Sequence, residues 1–338
     1  MHIVVLGAGA LGSIMAAYLV RAGETVTVMA RGTRAAQVRE SGLRVCGVTD
    51  FCVPCAVVTD PQTVQTADAL VVAVKAYDTA AALEGLRHLR VQSVCSVQNG
   101  LLKNEQLAAV FGAEKTLGAA CMFGGEVLAD GAVRYTLERE ICLGALPGQD
   151  AAPARQLVHT LQHAGLQAVY SERIQTIEWS KFVGWLGFTT IAVLTRLETY
   201  KFLCDPQTAC ISARVMREAG QLAAALGIAL EDHPPMASAS VLAGSEDQAV
   251  AVLQRMGAAL REHAPQMRQS ALQDVQRGRR IEVEETLGYA LTKATTLGLT
   301  LPTLELCYRL LSGLNHTLGV PAASALGKTR ATGTIHAT

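Results

Sequence analysis

Hydrophobic and polar positions alternate in short blocks along the first half of the chain. HIVVL (2–6), TVTVMAR (25–31), ALVVAVKA (69–76) and QSVCSVQNG (92–100) are compact apolar runs, the later ones ending in polar residues. Runs of this length bounded by turn residues predict buried strands. Between them, LGSIMAAYLVRAG, TAAALEGLRHL and KNEQLAAVFG space their apolar residues as helices do. Strands alternating with helices predict an α/β unit with a parallel sheet covered on both faces. Residues 131–145 then predict a few antiparallel strands, and APARQLVHTLQHAG one more helix.

From about Glu172 the pattern is helical almost throughout, over 175–195, 206–228, 247–262, 268–278 and 280–298. The change of period marks a boundary near 169–173, and 338 residues is a length that suggests two domains. The expected division is 1–170 for the α/β unit and 171–320 for an all-α C-terminal unit. The small, polar segment 321–338 is expected to be a flexible tail.

Composition narrows the function classes. With 29 basic and 29 acidic residues and no basic stripe, nucleic acid and anionic membrane surfaces are not expected partners. The longest uncharged run, Phe182 to Thr195, is shorter than the ~20 residues of a membrane-spanning helix. MHIVVLG reads as a strand and not a signal peptide, and nine cysteines in apolar surroundings read as reduced thiols of a cytoplasmic protein. Cys52 and Cys55 form a C-x-x-C without a second pair at zinc spacing, so strand packing is expected there. His159 and His163 lack the glutamate of H-E-x-x-H, and no metal site is expected.

The candidate chemistry begins at GAGALG: Gly7, Ala8, Gly9, Ala10, Leu11 and Gly12. G-x-G-x-x-G directly after a strand and opening a helix predicts a dinucleotide-binding turn. The glycines permit the turn, pyrophosphate approach and helix packing, and free helix N–H groups meet the phosphates. The alternative is a glycine-rich turn without a ligand. At the end of the second strand, where an NAD site carries an acid, stands Arg31. A guanidinium there suits a 2′-phosphate, with Arg34 as a second candidate, so NADPH is the expected cofactor. Lys75 and Asn99 end the two later strands, where ligands of open α/β sheets bind.

Lys181 stands where the uncharged run begins. It reads as a solvated cap, a membrane anchor or a catalytic acid; the short run weakens the anchor reading. GAGALG, the arginine ending strand two, VK in AVKAYDT, QNGL, the EWSK lysine, and SALQD followed by R-x-I-E occur in this order. Together they resemble the ketopantoate reductase family (2-dehydropantoate 2-reductases) over about residues 1–315. The resemblance implies a Rossmann domain, then a helical domain, with the active site in the cleft between them. It also implies NADPH-dependent reduction of a 2-oxo acid to a 2-hydroxy acid. Carried over by position, it makes Lys181 the catalytic lysine and Glu282 the glutamate near nicotinamide and substrate. Asn99 becomes the cleft asparagine, Ser270 a substrate-contacting serine, and Gly7–Gly12 with Arg31 the cofactor contacts.

The chain departs from the family at the usual asparagines four and eight residues past the lysine, where it has Trp185 and Thr189. A third asparagine position falls near Thr199. The i+4 and i+8 positions share a helical face with Lys181, so the substrate face is expected to be bulkier and more apolar. This motivates a same-fold reductase for a different 2-oxo acid or ketone, or a non-catalytic NADPH-binding protein. Glu282 could otherwise be an acid in the first turn of a helix, Ser270 a helix cap, and Asp274 a structural residue. The oligomeric state is open, a homodimer being one option.

Overall fold

The computed structural model describes residues 1–318; the segment expected to be a tail, 321–338, lies outside the described residues. Five parallel strands run in the order Ala56–Val58, Thr25–Met29, His2–Leu6, Thr66–Val72, Arg90–Ser96. The chain goes to one side of His2–Leu6 with the second strand and to the other with Thr66–Val72. The strand order therefore reverses at His2–Leu6, and the crevice beyond its carboxyl end is where such sheets bind ligands. The strands are β-branched-rich and buried on both faces, which is why they read as near-continuous apolar runs.

The 131–145 region forms strands with antiparallel partners, as expected. Val133–Leu137 and Ile141–Ala145 do not pair with one another; they enter two further sheets. Val133–Leu137 pairs parallel with Leu43–Gly47 and antiparallel with Gly124–Val127. Ile141–Ala145 pairs antiparallel with Leu117–Cys121 and parallel with Ala168–Tyr170. The parallel pairings, with Leu43–Gly47 and Ala168–Tyr170, join strands well separated in sequence and leave no local signal. Cys52, on the short strand Phe51–Val53, and Cys55 are both free thiols, and Cys52 is exposed. His159 and His163 are exposed on the helix Ala152–His163.

The helical unit is organised by Ile174–Thr195, 22 residues long and buried on nearly every side. Gly184 and Gly187 each cost such a helix about 1 kcal/mol relative to Ala. They are kept by contact: a Cβ would sit 2.8 Å from Met236 Sδ at Gly184 and 2.6 Å from Met216 Cγ at Gly187. Each buried Phe182 or Phe188 contributes roughly 1.5–3 kcal/mol by leaving water. Being apolar all round, this helix is a core element. Among the described residues no helix is long and apolar enough to cross a membrane.

Pro206–Ala225, Ser270–Gln276, Thr199–Cys204, Ser238–Leu242 and Pro302–Thr317 pack against it, and Glu246–His263 packs outside them on Thr199–Cys204, Pro206–Ala225 and Ser238–Leu242. The helix expected over 280–298 starts late: 279–283 is irregular, Glu284–Gly288 is a π-helical turn, and the α-helix is Tyr289–Thr296. Glu282 thus precedes the helix rather than standing in its first turn.

Candidate active site

The glycine loop is shaped by contact with the fourth strand of the parallel sheet. Gly7 has φ +109°, and a Cβ there would lie 2.7 Å from Val74 N. A Cβ on Gly12 would press against Gly7 O and lie 2.9 Å from Ala73 Cβ, so its role is helix–strand packing. Gly9 is different: a Cβ would make only an ordinary 3.6 Å contact with Ala73 O. Protein packing does not demand glycine at 9, so the backbone there is open to close approach by a ligand. Gly9 caps the helix Ala10–Arg21 without any side-chain cap or first-turn acid, so the helix end offers bare N–H groups and positive potential.

These residues open onto a cavity of about 680 Å³, within the range of small-molecule and cofactor sites. Gly7, Ala8, Gly9, Ala10, Leu11, Arg31, Lys75, Asn99, Ser270 and Glu282 all line it, from both halves of the chain. Arg31 is exposed at the end of its strand, open to an anionic ligand. Arg34 also borders the cavity, but its guanidinium is engaged: Nε donates to Ala8 O at 2.7 Å, Nη1 to Gly131 O at 2.6 Å and Nη2 to Ser13 Oγ at 2.9 Å. It braces the glycine loop.

Two lysines stand on this cleft in opposite states. Lys75 Nζ donates to Asp274 Oδ2 at 2.5 Å, joining the sheet to the helix Ser270–Gln276. The adjacent Ala76 N–H donates to Glu282 Oε1 at 2.7 Å. Burial pulls the Lys75 ammonium down, but the Glu282 and Asp274 carboxylates together outweigh it and hold it above the usual lysine value. Lys181 Nζ donates instead to neutral acceptors, Cys121 O at 2.7 Å and Asn99 Oδ1 at 3.0 Å. Burial lowers its pKa to about 8. Glu282 acts on Lys75 and is not among the groups that shift Lys181.

Lys181, Asn99 and Trp185 line a second, smaller recess, and Asn99 belongs to both walls. Trp185 is 6 % exposed there. Thr189, one turn further along, is 3 % exposed and lines neither cavity; its hydroxyl has no hydrogen-bond partner among the described residues. Thr199 is buried against Gln269 and Met267, also outside both cavities. Ser270 is the first residue of its helix and Gln269 the cap, so the capping role is not realised.

Sequence reading passed over three contributors. Arg279 lines the large cavity. Lys103 and Glu178 form a buried pair at 3.3 Å behind the small one. Lys103 donates to Ser96 O, Gln98 O and Ala119 O, while Glu178 accepts from Ala119 N–H at 3.0 Å and Asn104 Nδ2 at 2.8 Å. The pair locks the segment carrying Asn99 to the helix carrying Lys181. Nothing local marks the pair, since Lys103 stands beside Asn104 and Glu105 and Glu178 one turn before Lys181.

The chain matches two successive family models, "Ketopantoate reductase PanE/ApbA" over residues 3–148 and "Ketopantoate reductase PanE/ApbA C terminal" over 173–315. A 2-dehydropantoate 2-reductase of Archaeoglobus fulgidus is 29% identical over 295 residues, 87% of this chain and 91% of that protein. One from Pyrococcus abyssi is 28% identical over 315 residues, covering 93% and 97%. Among solved structures, a 2-dehydropantoate 2-reductase from Geobacter metallireducens superposes with a TM-score of 0.79 at 24% identity, covering 93% of this chain and 99% of that one. D-mandelate dehydrogenase with NADH and anilino(oxo)acetate gives 0.82 at 18% identity, covering 95% and 100%. The two family models between them take in the glycine loop, Lys75, Asn99, Lys181, Ser270 and Glu282, and the chain belongs to the ketopantoate reductase family of oxidoreductases.

Proposed function

We propose that the protein reduces a 2-oxo acid to the 2-hydroxy acid with NADPH, ketopantoate to pantoate being the leading reaction, as in the pantothenate pathway. One observation carries this reading: an ammonium lowered to about 8, held by Asn99 and the Cys121 carbonyl beside a cavity floored by the glycine loop. The residues suit the cofactor, since Gly9 is bare for no packing reason and Arg31 replaces the acid of an NAD site. Gly7–Gly12 would hold the pyrophosphate, Arg31 the 2′-phosphate, and Lys75, Asn99 and Glu282 would border the nicotinamide end. When bound, the nicotinamide supplies the hydride for the carbonyl carbon.

Lys181 has the protein's part in the proton step. Its ammonium stabilises charge developing on the carbonyl oxygen and donates the proton. With a pKa of about 8 it is still protonated at neutral pH and gives up the proton more readily than an exposed lysine. Asn99 and the Cys121 carbonyl fix its direction. Lys75, held cationic by Glu282 and Asp274, adds positive charge on the side of the cleft where Ser270 and Arg279 could meet a substrate carboxylate. Trp185 favours a second reading, the same chemistry on a bulkier, less hydroxylated 2-oxo acid or ketone. The D-mandelate dehydrogenase of like fold was solved with anilino(oxo)acetate and with NADH.

The test is a steady-state panel with NADPH and NADH over ketopantoate and aliphatic and aromatic 2-oxo acids. Ketopantoate turnover with a KM well below the others supports the first reading. A KM far above that of another oxo acid replaces it with the second. NADPH binding without turnover of any ketone, unchanged in Lys181→Ala, removes both.

A further inference from the structure

Behind the Lys181 helix, three side chains able to ligate a metal converge from the two halves of the chain. Glu140 directly precedes the strand Ile141–Ala145 and Cys142 is its second residue, so strand alternation sends both side chains to one face. His233 comes from the connection between Pro206–Ala225 and Ser238–Leu242. That connection is locally closed, with His233 N–H donating to Met236 O at 2.9 Å and Met236 N–H to His233 O at 2.7 Å. It is also tied to the long helix, because Glu231 N–H donates to Ser180 Oγ at 2.9 Å.

His233 Nε2 lies 3.2 Å from Glu140 Oε1 and 3.7 Å from Cys142 Sγ, and the three ligand atoms are all within 4.8 Å of one another. A tetrahedral zinc ion with bonds of about 2.0–2.3 Å sets neighbouring N, O and S ligands roughly 3.3–3.6 Å apart. The triangle already present needs only small adjustments to surround one ion. Its donors, one sulfur, one imidazole and one carboxylate, are those of zinc; magnesium and calcium favour oxygen alone.

We propose that Glu140, Cys142 and His233 form a three-ligand zinc site that stitches the sheet unit to the helical unit. The site borders a cavity of about 530 Å³ whose wall also carries Tyr170, Arg173 and Glu231. This cavity is the entry path and leaves the fourth position to water. On binding, the Cys142 S–H bond breaks, the sulfur keeps the electron pair as thiolate and the proton passes to solvent. No redox change is involved.

The full-length protein, stripped by chelator, is titrated with Zn²⁺ alone by calorimetry and with Co²⁺ as an optical probe. One ion per chain should bind at about micromolar Kd or tighter, with a thiolate-to-cobalt charge-transfer band. His233→Ala and Cys142→Ser should each weaken binding at least about tenfold, with the band lost in Cys142→Ser, while Cys52→Ser at an exposed thiol changes nothing. Cys142 is buried, so if its serine variant does not fold, Glu140→Gln and His233→Ala carry the test. No zinc uptake by the parent protein, or unchanged affinity and stoichiometry in His233→Ala, overturns the proposal.

Discussion

Lys75 and Lys181 face one cleft with the same side chain, yet their surroundings push them opposite ways. Lys75 meets two carboxylates, Asp274 and Glu282, and its charge is reinforced. Lys181 meets an amide oxygen and a backbone carbonyl, and burial brings it down to about 8. Hydrogen bonds to neutral acceptors satisfy an ammonium without fully replacing the water lost around it. Depth and partners act together here: the Lys75 side chain is 40 % exposed beside two carboxylates, whereas Lys181 is buried among neutral acceptors.

The strongest way to break this comparison is to remove each lysine. Lys181→Ala should lower kcat by about 10²–10⁴, the usual worth of general acid catalysis, with NADPH affinity kept. Lys75→Ala should act mainly on KM. Near-normal kcat in Lys181→Ala, or equal kcat losses in both variants, would erase the distinction.

The platform beneath Lys181 can be broken separately. Glu178→Ala leaves the Lys103 ammonium buried and unpaired, at a cost of about 3–5 kcal/mol in chemical denaturation. A loss below about 1 kcal/mol, as for surface pairs, would show that water replaces the carboxylate.

Arg31→Ala should weaken NADPH by roughly ten- to a hundredfold, as expected for a lost charge-assisted contact, and NADH much less. Equal losses measured by fluorescence titration would take the 2′-phosphate away from Arg31.

The gentlest probe is pH. On the proposed proton-donor role of Lys181, kcat should be level below pH about 8 and fall as pH rises through it. Asp274→Asn, which acts on Lys75, should leave that limb in place. A limb that moves with Asp274→Asn would mean the two lysines titrate as one system.

Much of the fold was legible because its signals are local. Four apolar runs, a glycine turn and a change of period at about 170 are each readable within a dozen residues. The three-residue strands Phe51–Val53 and Ala168–Tyr170 were not, since pieces that short are specified by their neighbours in the sheet. The glycine loop, Arg31, Lys75, Asn99, Ser270 and Glu282 share one cavity, with Lys181 and Trp185 in the recess that Asn99 joins to it. Thr189 fell away because eight residues past Lys181 lie about 12 Å along the helix and about 80° off its face, which takes the side chain into the core. Glu282 was legible as a cleft residue but not as a partner of the other lysine.

By itself the sequence determined the strand–helix alternation, a glycine turn followed by an arginine in place of an acid, and a lysine at the head of an uncharged run. The tertiary structure alone decided what each charge meets. Lys75 and Asp274 are 199 residues apart, and Glu140 and Cys142 meet His233 across the two units. Local pattern follows from backbone geometry and burial within one element. The protonation and ligation of a side chain depend on which distant groups folding brings within a few ångströms, because Coulomb and desolvation energies change steeply over that distance.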